Sequence, residues 1–231
     1  MRTLGLIGGM SWESTVPYYR TINQTVKEQL GGLHSARLLL YSVDFAQIEK
    51  LQHAGDWDAA GAVLADAARS LKAGGAELLV ICTNTMHKVA DAVEAVGLPL
   101  LHIADPTGEA IRARGLARVG LLGTRFTMEQ AFYRQRLIER HGLDVLVPEP
   151  DERDLVHRVI YEELCQGVIR DASRAQYRRV MEALVARGAQ GIVLGCTEIG
   201  LLVGDADASV PLFDTTALHA RAAALAALGS G

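Results

Sequence analysis

The stretch that decides the fold is Leu78-Leu79-Val80-Ile81-Cys82-Thr83-Asn84-Thr85-Met86-His87. Its four consecutive aliphatic residues predict a buried β-strand, and Cys82 ends the apolar run. The Thr-Asn-Thr segment that follows can begin a helix, whose apolar positions continue to Val96. Because the first turn of a helix carries unpaired N–H groups, it can bind an anion and stabilise a thiolate. The stretch therefore predicts a strand–turn–helix unit with a reactive thiol at the turn.

The same arrangement occurs again near the C-terminus, in Gly191-Ile192-Val193-Leu194-Gly195-Cys196-Thr197-Glu198. Other landmarks repeat at a similar offset of about 114 residues, including a Gly-rich turn after an apolar run and a Pro-Leu pair. A long internal period is a fold-level signal. We therefore expect two homologous halves, each with one Cys-Thr turn.

Apolar runs and helical stripes alternate along the whole chain. Strands are predicted at 2–7, 37–43, 78–81 and 98–103, and long helices at 12–30 and 57–73. This alternation predicts parallel sheets in an α/β, doubly wound fold. The C-terminal helix at 218–228 should return to the first half, so we expect one domain of residues 1–103 plus 214–231 and another of residues 104–213.

Composition excludes several classes of protein. The 231 residues carry a net charge of -4 without a basic cluster, so nothing favours nucleic acid as a partner. No apolar run approaches the ~20 residues of a membrane span, and no signal peptide precedes the first strand. The three cysteines are odd in number and lack CxxC spacing, which indicates reduced thiols in a cytoplasmic protein and no metal site.

Two thiols that face each other across a cleft suit one kind of chemistry. Ligands of open α/β sheets bind outside the C-terminal ends of the strands, where both Cys-Thr turns are predicted. Inversion of a tetrahedral carbon needs a base on one face and an acid on the other. A thiol pKa of about 8.5 should fall towards neutrality at a helix N-terminus, so one thiolate and one thiol could exchange these roles. No cofactor is needed in principle, and the Gly5-x-x-Gly8-Gly9 turn lacks the GxGxxG spacing of a dinucleotide site.

Four motifs carry a resemblance to a known family. They are Leu4-Gly5-Leu6-Ile7-Gly8-Gly9-Met10-Ser11-Trp12-Glu13-Ser14-Thr15, Cys82-Thr83-Asn84-Thr85-Met86-His87, Gly123-Thr124-Arg125-Phe126-Thr127-Met128 and Gly195-Cys196-Thr197-Glu198. Over essentially its whole length the chain resembles the cofactor-independent aspartate/glutamate racemases, most closely the broad-specificity bacterial members.

The resemblance implies a fold and a set of site residues. It implies two flavodoxin-like domains related by a pseudo-two-fold axis, with the active site in the cleft between them, and commonly a homodimer. It implies that Cys82 and Cys196 are the catalytic acid/base pair. The positions that it places around the substrate are Met10, Gln52, Thr83, Asn84, Thr85, Thr197 and Glu198, with Gln52 in a predicted loop.

The chain also departs from its relatives. Many aspartate-selective members carry an Arg after the second strand and a Lys in the second half, both of which grip the side-chain carboxylate. The matching stretches here are Val43-Asp44-Phe45 and Glu163-Leu164-Cys165, which contain neither cation. We therefore expect a permissive enzyme that accepts both Asp and Glu.

Other residues and other functions stay open at this point. Cys165 has no partner in the repeat and is expected to be structural, as is His102, whereas His87 could be structural or could support the turn. A decarboxylase or a maleate-type isomerase on the same scaffold is an alternative, although one-sided protonation would leave a thiol unused. A non-enzymatic carboxylate-binding module is a further alternative, but it gives no reason for paired thiols.

Overall fold

The structure, a computed structural model, describes residues 1–229. The strands are β1 (Leu4–Gly8), β2 (Leu38–Ser42), β3 (Leu78–Ile81), β4 (Leu100–Leu101), β5 (Arg118–Gly123), β6 (Asp144–Leu146), β7 (Ile192–Gly195) and β8 (Leu212–Asp214). The α-helices are α1 (Trp12–Leu30), α2 (Phe45–Ala54), α3 (Trp57–Ala73), α4 (Ala90–Glu94), α5 (Ala104–Ala113), α6 (Arg125–Glu129), α7 (Ala131–His141), α8 (Pro150–Glu162), α9 (Asp171–Ala186), α10 (Ile199–Leu202) and α11 (Thr215–Leu228). Short 3₁₀ helices span Thr85–Val89, Leu164–Gln166 and Asp205–Asp207.

The strands form two parallel four-stranded sheets with the same strand order. The first sheet runs β2-β1-β3-β4 and the second runs β6-β5-β7-β8. In each sheet the first strand along the chain is an inner strand, the second lies at one edge, and the third and fourth complete the other side. The predicted α/β fold with two similar halves is confirmed.

The chain divides into two compact units. The first unit contains Met1–Ile103 together with the segment from His219 onwards, and the second contains Ala104–Leu218. The segment from His219 contributes most of α11, whose alanines pack in the core of the first sheet.

Helices cover both faces of the first sheet because its strands are apolar on both faces. Leu4 and Leu6 on β1 pack with Tyr18 and Ile22 on α1, whereas the next residue along the strand, Ile7, packs in the opposite core layer. That opposite layer is filled by the predicted apolar stripe of α3. At roughly 25 cal/mol per Å² of buried apolar surface, these two layers supply the main stabilisation of the unit.

Two predicted elements are shorter than expected. The strand predicted at 98–103 pairs only through Leu100–Leu101, because Pro99 precedes it and α5 begins at Ala104. The helix predicted after Cys82 is replaced by the 3₁₀ helix at Thr85–Val89 followed by the five residues of α4.

No helix among residues 1–229 is both long enough and apolar enough to cross a bilayer.

Candidate active site

Cys82 lies one residue beyond the end of β3, next to the central strand β1. Its backbone N–H donates to the carbonyl of Ile7 at 2.9 Å, which continues the β1–β3 ladder by one step. The side chain is fully buried, and its Sγ lies 3.9 Å from the carbonyl of Val80. Thr83 and the two residues after it form a buried polar turn at the C-terminal edge of the sheet.

Cys196 occupies the same place in the second sheet. Gly195, the last residue of β7, pairs with Gly123 at the end of β5, so Cys196 follows the ladder as Cys82 does. The two glycines are needed because a Cβ on Gly123 would stand only 2.8 Å from the carbonyl oxygen of Gly195. The repeat seen in the sequence is therefore also a repeat of strand order, in which each thiol follows the third strand of its sheet.

The surroundings of the two thiols differ in one respect that bears on proton transfer. The Cys196 thiol donates to Oε2 of Glu198 at 3.0 Å, and the Thr197 hydroxyl donates to the same oxygen at 2.8 Å. Glu198 is 2% exposed, so this carboxylate acts in a medium of low dielectric constant. Cys82 Sγ instead lies near a backbone carbonyl oxygen, that of Val80, at 3.9 Å.

The expected lowering of the thiol pKa values is wrong. Burial raises the pKa of Cys82, and burial followed by the charges of Glu198 and Cys165 raises the pKa of Cys196 well above its ordinary value. The helices after the two turns are too short to oppose this effect, since α10 has four residues and a 3₁₀ segment follows Cys82. Both shifts favour the protonated thiol over the thiolate.

Gln52 does not lie in a loop, as the sequence suggested. It is a buried residue of α2, and its Nε2 donates to the Met86 sulfur at 3.1 Å. Met86 belongs to the segment that follows the Cys82 turn, so Gln52 is brought to the same region. Met10, 3% exposed, belongs to the same apolar cluster as Met86.

Thr15 is a residue of this region that the sequence reasoning missed. Its hydroxyl accepts a hydrogen bond from the Gly9 N–H at 2.9 Å and donates to the Ser11 carbonyl at 2.9 Å. It therefore braces the turn that carries Met10, at a point where Gly9 has a φ of 90°. A hydroxyl residue one helical turn after a glycine-rich segment is the signal that could have identified it.

The predicted site residues are distributed between the two units. The first unit contains Met10, Gln52, Cys82, Thr83, Asn84 and Thr85, and the second contains Cys196, Thr197 and Glu198. Within residues 1–229 no group of three His, Cys, Asp or Glu side chains is arranged to hold a metal ion.

Comparison with known proteins gives the family. The family described as Asp/Glu/Hydantoin racemase matches residues 7–223, which include both Cys-Thr turns. This chain belongs to that family. It is accordingly an isomerase of the racemase type, as the resemblance of its motifs indicated.

Relatives of this racemase cover its whole length. It is 64% identical to a proposed Asp/Glu racemase from Yersinia pestis, with a TM-score of 0.91 and coverage of 99% of this chain and 100% of the other. An aspartate racemase homologue from Pyrococcus horikoshii is 34% identical with a TM-score of 0.83, covering 99% and 100%. The broad-specificity amino-acid racemase RacX of Bacillus subtilis is 21% identical over 94% of this chain and 95% of its own length.

Proposed function

We propose that this chain is a cofactor-independent racemase that interconverts the L and D forms of aspartate and glutamate. In this proposal Cys82 and Cys196 act on opposite faces of the substrate α-carbon. The observation that carries it is the equivalent position of the two thiols. Cys82 lies one residue beyond β3 and Cys196 one residue beyond β7, which are equivalent inner strands of the two sheets. A decarboxylase or a binding module needs no such pair.

The reaction requires one thiolate and one thiol at a time. The thiolate removes the α-proton, the electron pair passes into the carboxylate-stabilised carbanion, and the opposite thiol delivers its proton to the other face. The second cysteine is then the thiolate, ready for the reverse direction. Because burial raises the pKa of both sulfurs, a thiolate formed here is a stronger base than an exposed one, which favours removal of a weakly acidic proton.

Glu198 is the group that accepts the Cys196 proton. Its Oε2 lies 3.0 Å from Cys196 Sγ, within the reach of a general base. The Thr197 hydroxyl, which donates to the same oxygen, orients the carboxylate. Glu198 and Cys196 share one proton and so carry one negative charge between them. That charge also suits the substrate ammonium group, which would neutralise the pair on binding.

The remaining site residues bind the substrate in this proposal. Thr83, Asn84 and Thr85 offer hydroxyl, amide and backbone N–H groups to the α-carboxylate at one turn, and Thr197 does so at the other. Met10 and Gln52 line the side-chain region. Both are buried in the first unit, and of the two it is Gln52 that offers a polar group, its side-chain amide.

The proposed enzyme acts in the cytoplasm as a homodimer. Among the described residues, eight of the twelve exposed large hydrophobic side chains lie before residue 42. They include Trp12 and Tyr19 on α1 and Leu40 on the unpaired edge of β2. An isologous contact between two copies would cover such a surface and protect the open edge of the sheet. Tyr19→Lys should yield monomers in sedimentation velocity, and Ile138→Lys, at another exposed apolar site, should not.

Incubation of each pure enantiomer with enzyme, followed by chiral chromatography, tests the proposed reaction. L-Asp and L-Glu should each approach an equal mixture with the D form, in the presence of EDTA and without added nicotinamide or pyridoxal phosphate. A 5-substituted hydantoin should stay unchanged. Racemisation of the hydantoin alone, conversion of maleate, or release of carbon dioxide from a malonate would replace the proposal by that activity.

A further inference from the structure

Three buried histidines and a buried tyrosine lie in the first unit close to the Cys82 turn. Tyr18 and His219 are fully buried, and His87 and His102 are 3% and 5% exposed. The His87 ring centroid lies 4.5 Å from that of His102 and 5.7 Å from that of His219. The proposed reaction uses none of these groups, so their hydrogen bonds indicate what they do.

His87 is bonded at both ring nitrogens. Its Nδ1 lies 2.8 Å from the carbonyl oxygen of Thr83, and the backbone N–H of Ile103 donates to its Nε2 at 3.2 Å. A carbonyl oxygen can only accept and a backbone N–H can only donate. Nδ1 therefore carries the proton and Nε2 does not, which fixes the ring as one neutral tautomer.

The Thr83 carbonyl is a part of the turn that holds the thiol. On the N-terminal side, the Cys82 N–H donates to the Ile7 carbonyl. On the other side, the His87 ring holds the carbonyl of the next residue. We propose that His87 is a positioning residue of the racemase site, whose Nδ1–H fixes the Cys82-Thr83 turn and thereby the place of the thiol.

His219 provides a contrast within the same cluster. Its Nε2–H donates to the Leu101 carbonyl at 2.8 Å, and the Tyr18 hydroxyl lies 2.8 Å from its Nδ1. These bonds join α1, β4 and α11, and neither reaches the Cys82 turn. Tyr18→Phe thus removes a buried hydrogen bond from the neighbourhood without touching the turn, and it serves as the matched control.

Two substitutions at position 87 separate the two bonds of the ring. The amide nitrogen of His87→Asn stands near the place of Nδ1 and can still donate to Thr83. The amide oxygen of His87→Gln can reach the place of Nε2 and accept from Ile103, but no donor remains near Nδ1. Since a misplacement of about 1 Å can cost about 10²-fold in rate, kcat should fall about that much in His87→Gln and much less in His87→Asn. Equal losses in both, or losses that follow melting temperature as in Tyr18→Phe, would overturn the inference.

The kinetic arm rests on the proposed function, so a second readout that needs no turnover accompanies it. Each variant is alkylated with iodoacetamide and the rates at Cys82 and Cys196 are followed separately by peptide mass spectrometry. Loss of one hydrogen bond should raise alkylation of Cys82 about tenfold in His87→Gln and leave Cys196 unchanged. An unchanged Cys82, or an equal rise at both thiols, would refute the positioning role. A selective rise at Cys82 in a protein without racemase activity would support that role and refute the proposed function instead.

Discussion

Replacing Glu198 by Gln removes the carboxylate beside Cys196 and keeps the size of the side chain. The thiol and the Thr197 hydroxyl lie 3.0 Å and 2.8 Å from Oε2, and the Gln amide oxygen can still accept one of these bonds. A hydrogen bond to a charged group contributes about 1.5–3 kcal/mol, so kcat/KM should fall roughly 10- to 150-fold. Because L and D forms are equally stable, the loss in kcat/KM must be the same in both directions.

The pH dependence of kcat/KM shows in which direction Glu198 shifts the pKa of Cys196. The Glu198 charge raises the pKa of Cys196, so its removal should lower that pKa and shift the alkaline rise of kcat/KM to lower pH. Initial rates for both enantiomers of Glu, measured by circular dichroism from neutral to alkaline pH, test this. Glu129→Gln, which removes only an ion pair with Arg153 at the surface, is the control and should behave as wild type. A Glu198→Gln enzyme within about twofold of wild type and with an unchanged pH profile would refute the general-base role.

Three further predictions concern the thiols and the substrate. Cys82→Ser and Cys196→Ser should each abolish racemisation in both directions, with the double variant scarcely worse, whereas Cys165→Ser should stay active; near-normal turnover in either of the first two would remove the two-thiol mechanism. Asp and Glu should have kcat/KM values within about 10³-fold of each other, since a larger ratio would exceed the roughly 150-fold that two charge-assisted bonds of about 1.5 kcal/mol each would give. Ala should be much poorer, and equal activity on Ala would remove the acidic-substrate assignment. Since burial raises the pKa of both thiols, the unfolded state loses protons first as pH rises above about 8.5, so the free energy of unfolding should fall by up to about 1.4 kcal/mol per pH unit for each thiol. Cys82→Ser should reduce that slope in urea titrations, and an unchanged slope would contradict the raised pKa of Cys82.

The architecture was accessible from the sequence because its signals are local and occur twice. The aliphatic run Leu78–Ile81 and its partner Ile192–Gly195 are buried strands at the same place in two sheets of the same order. The bounds of Trp12–Leu30 and Trp57–Ala73 agree with the predicted helices, since Gly31 and Gly74 follow the last apolar positions. The strand before α5 was overestimated because apolar residues extend beyond the two that find partners on β3.

The electrostatics of the site were not accessible in the same way. The sequence suggested helix N-termini beside the thiols, whereas the depth of burial of Cys82 and Cys196 depends on helices distant along the chain. Cys196 and Glu198 are only two residues apart, but the backbone conformation of the turn decides whether their side chains meet. The position of Gln52 in a helix was missed because the apolar stripe of Phe45–Ala54 is short.

The measurement that tests the central claim most directly is racemisation in D₂O at low conversion. L-Asp or L-Glu is incubated with a catalytic amount of enzyme, and each enantiomer is separated and analysed for deuterium at the α-carbon. If two thiols act from opposite faces, the D product carries solvent deuterium, whereas the remaining L substrate keeps its original proton. Comparable early labelling of the remaining substrate and the product would indicate one base that serves both faces, and it would contradict the account.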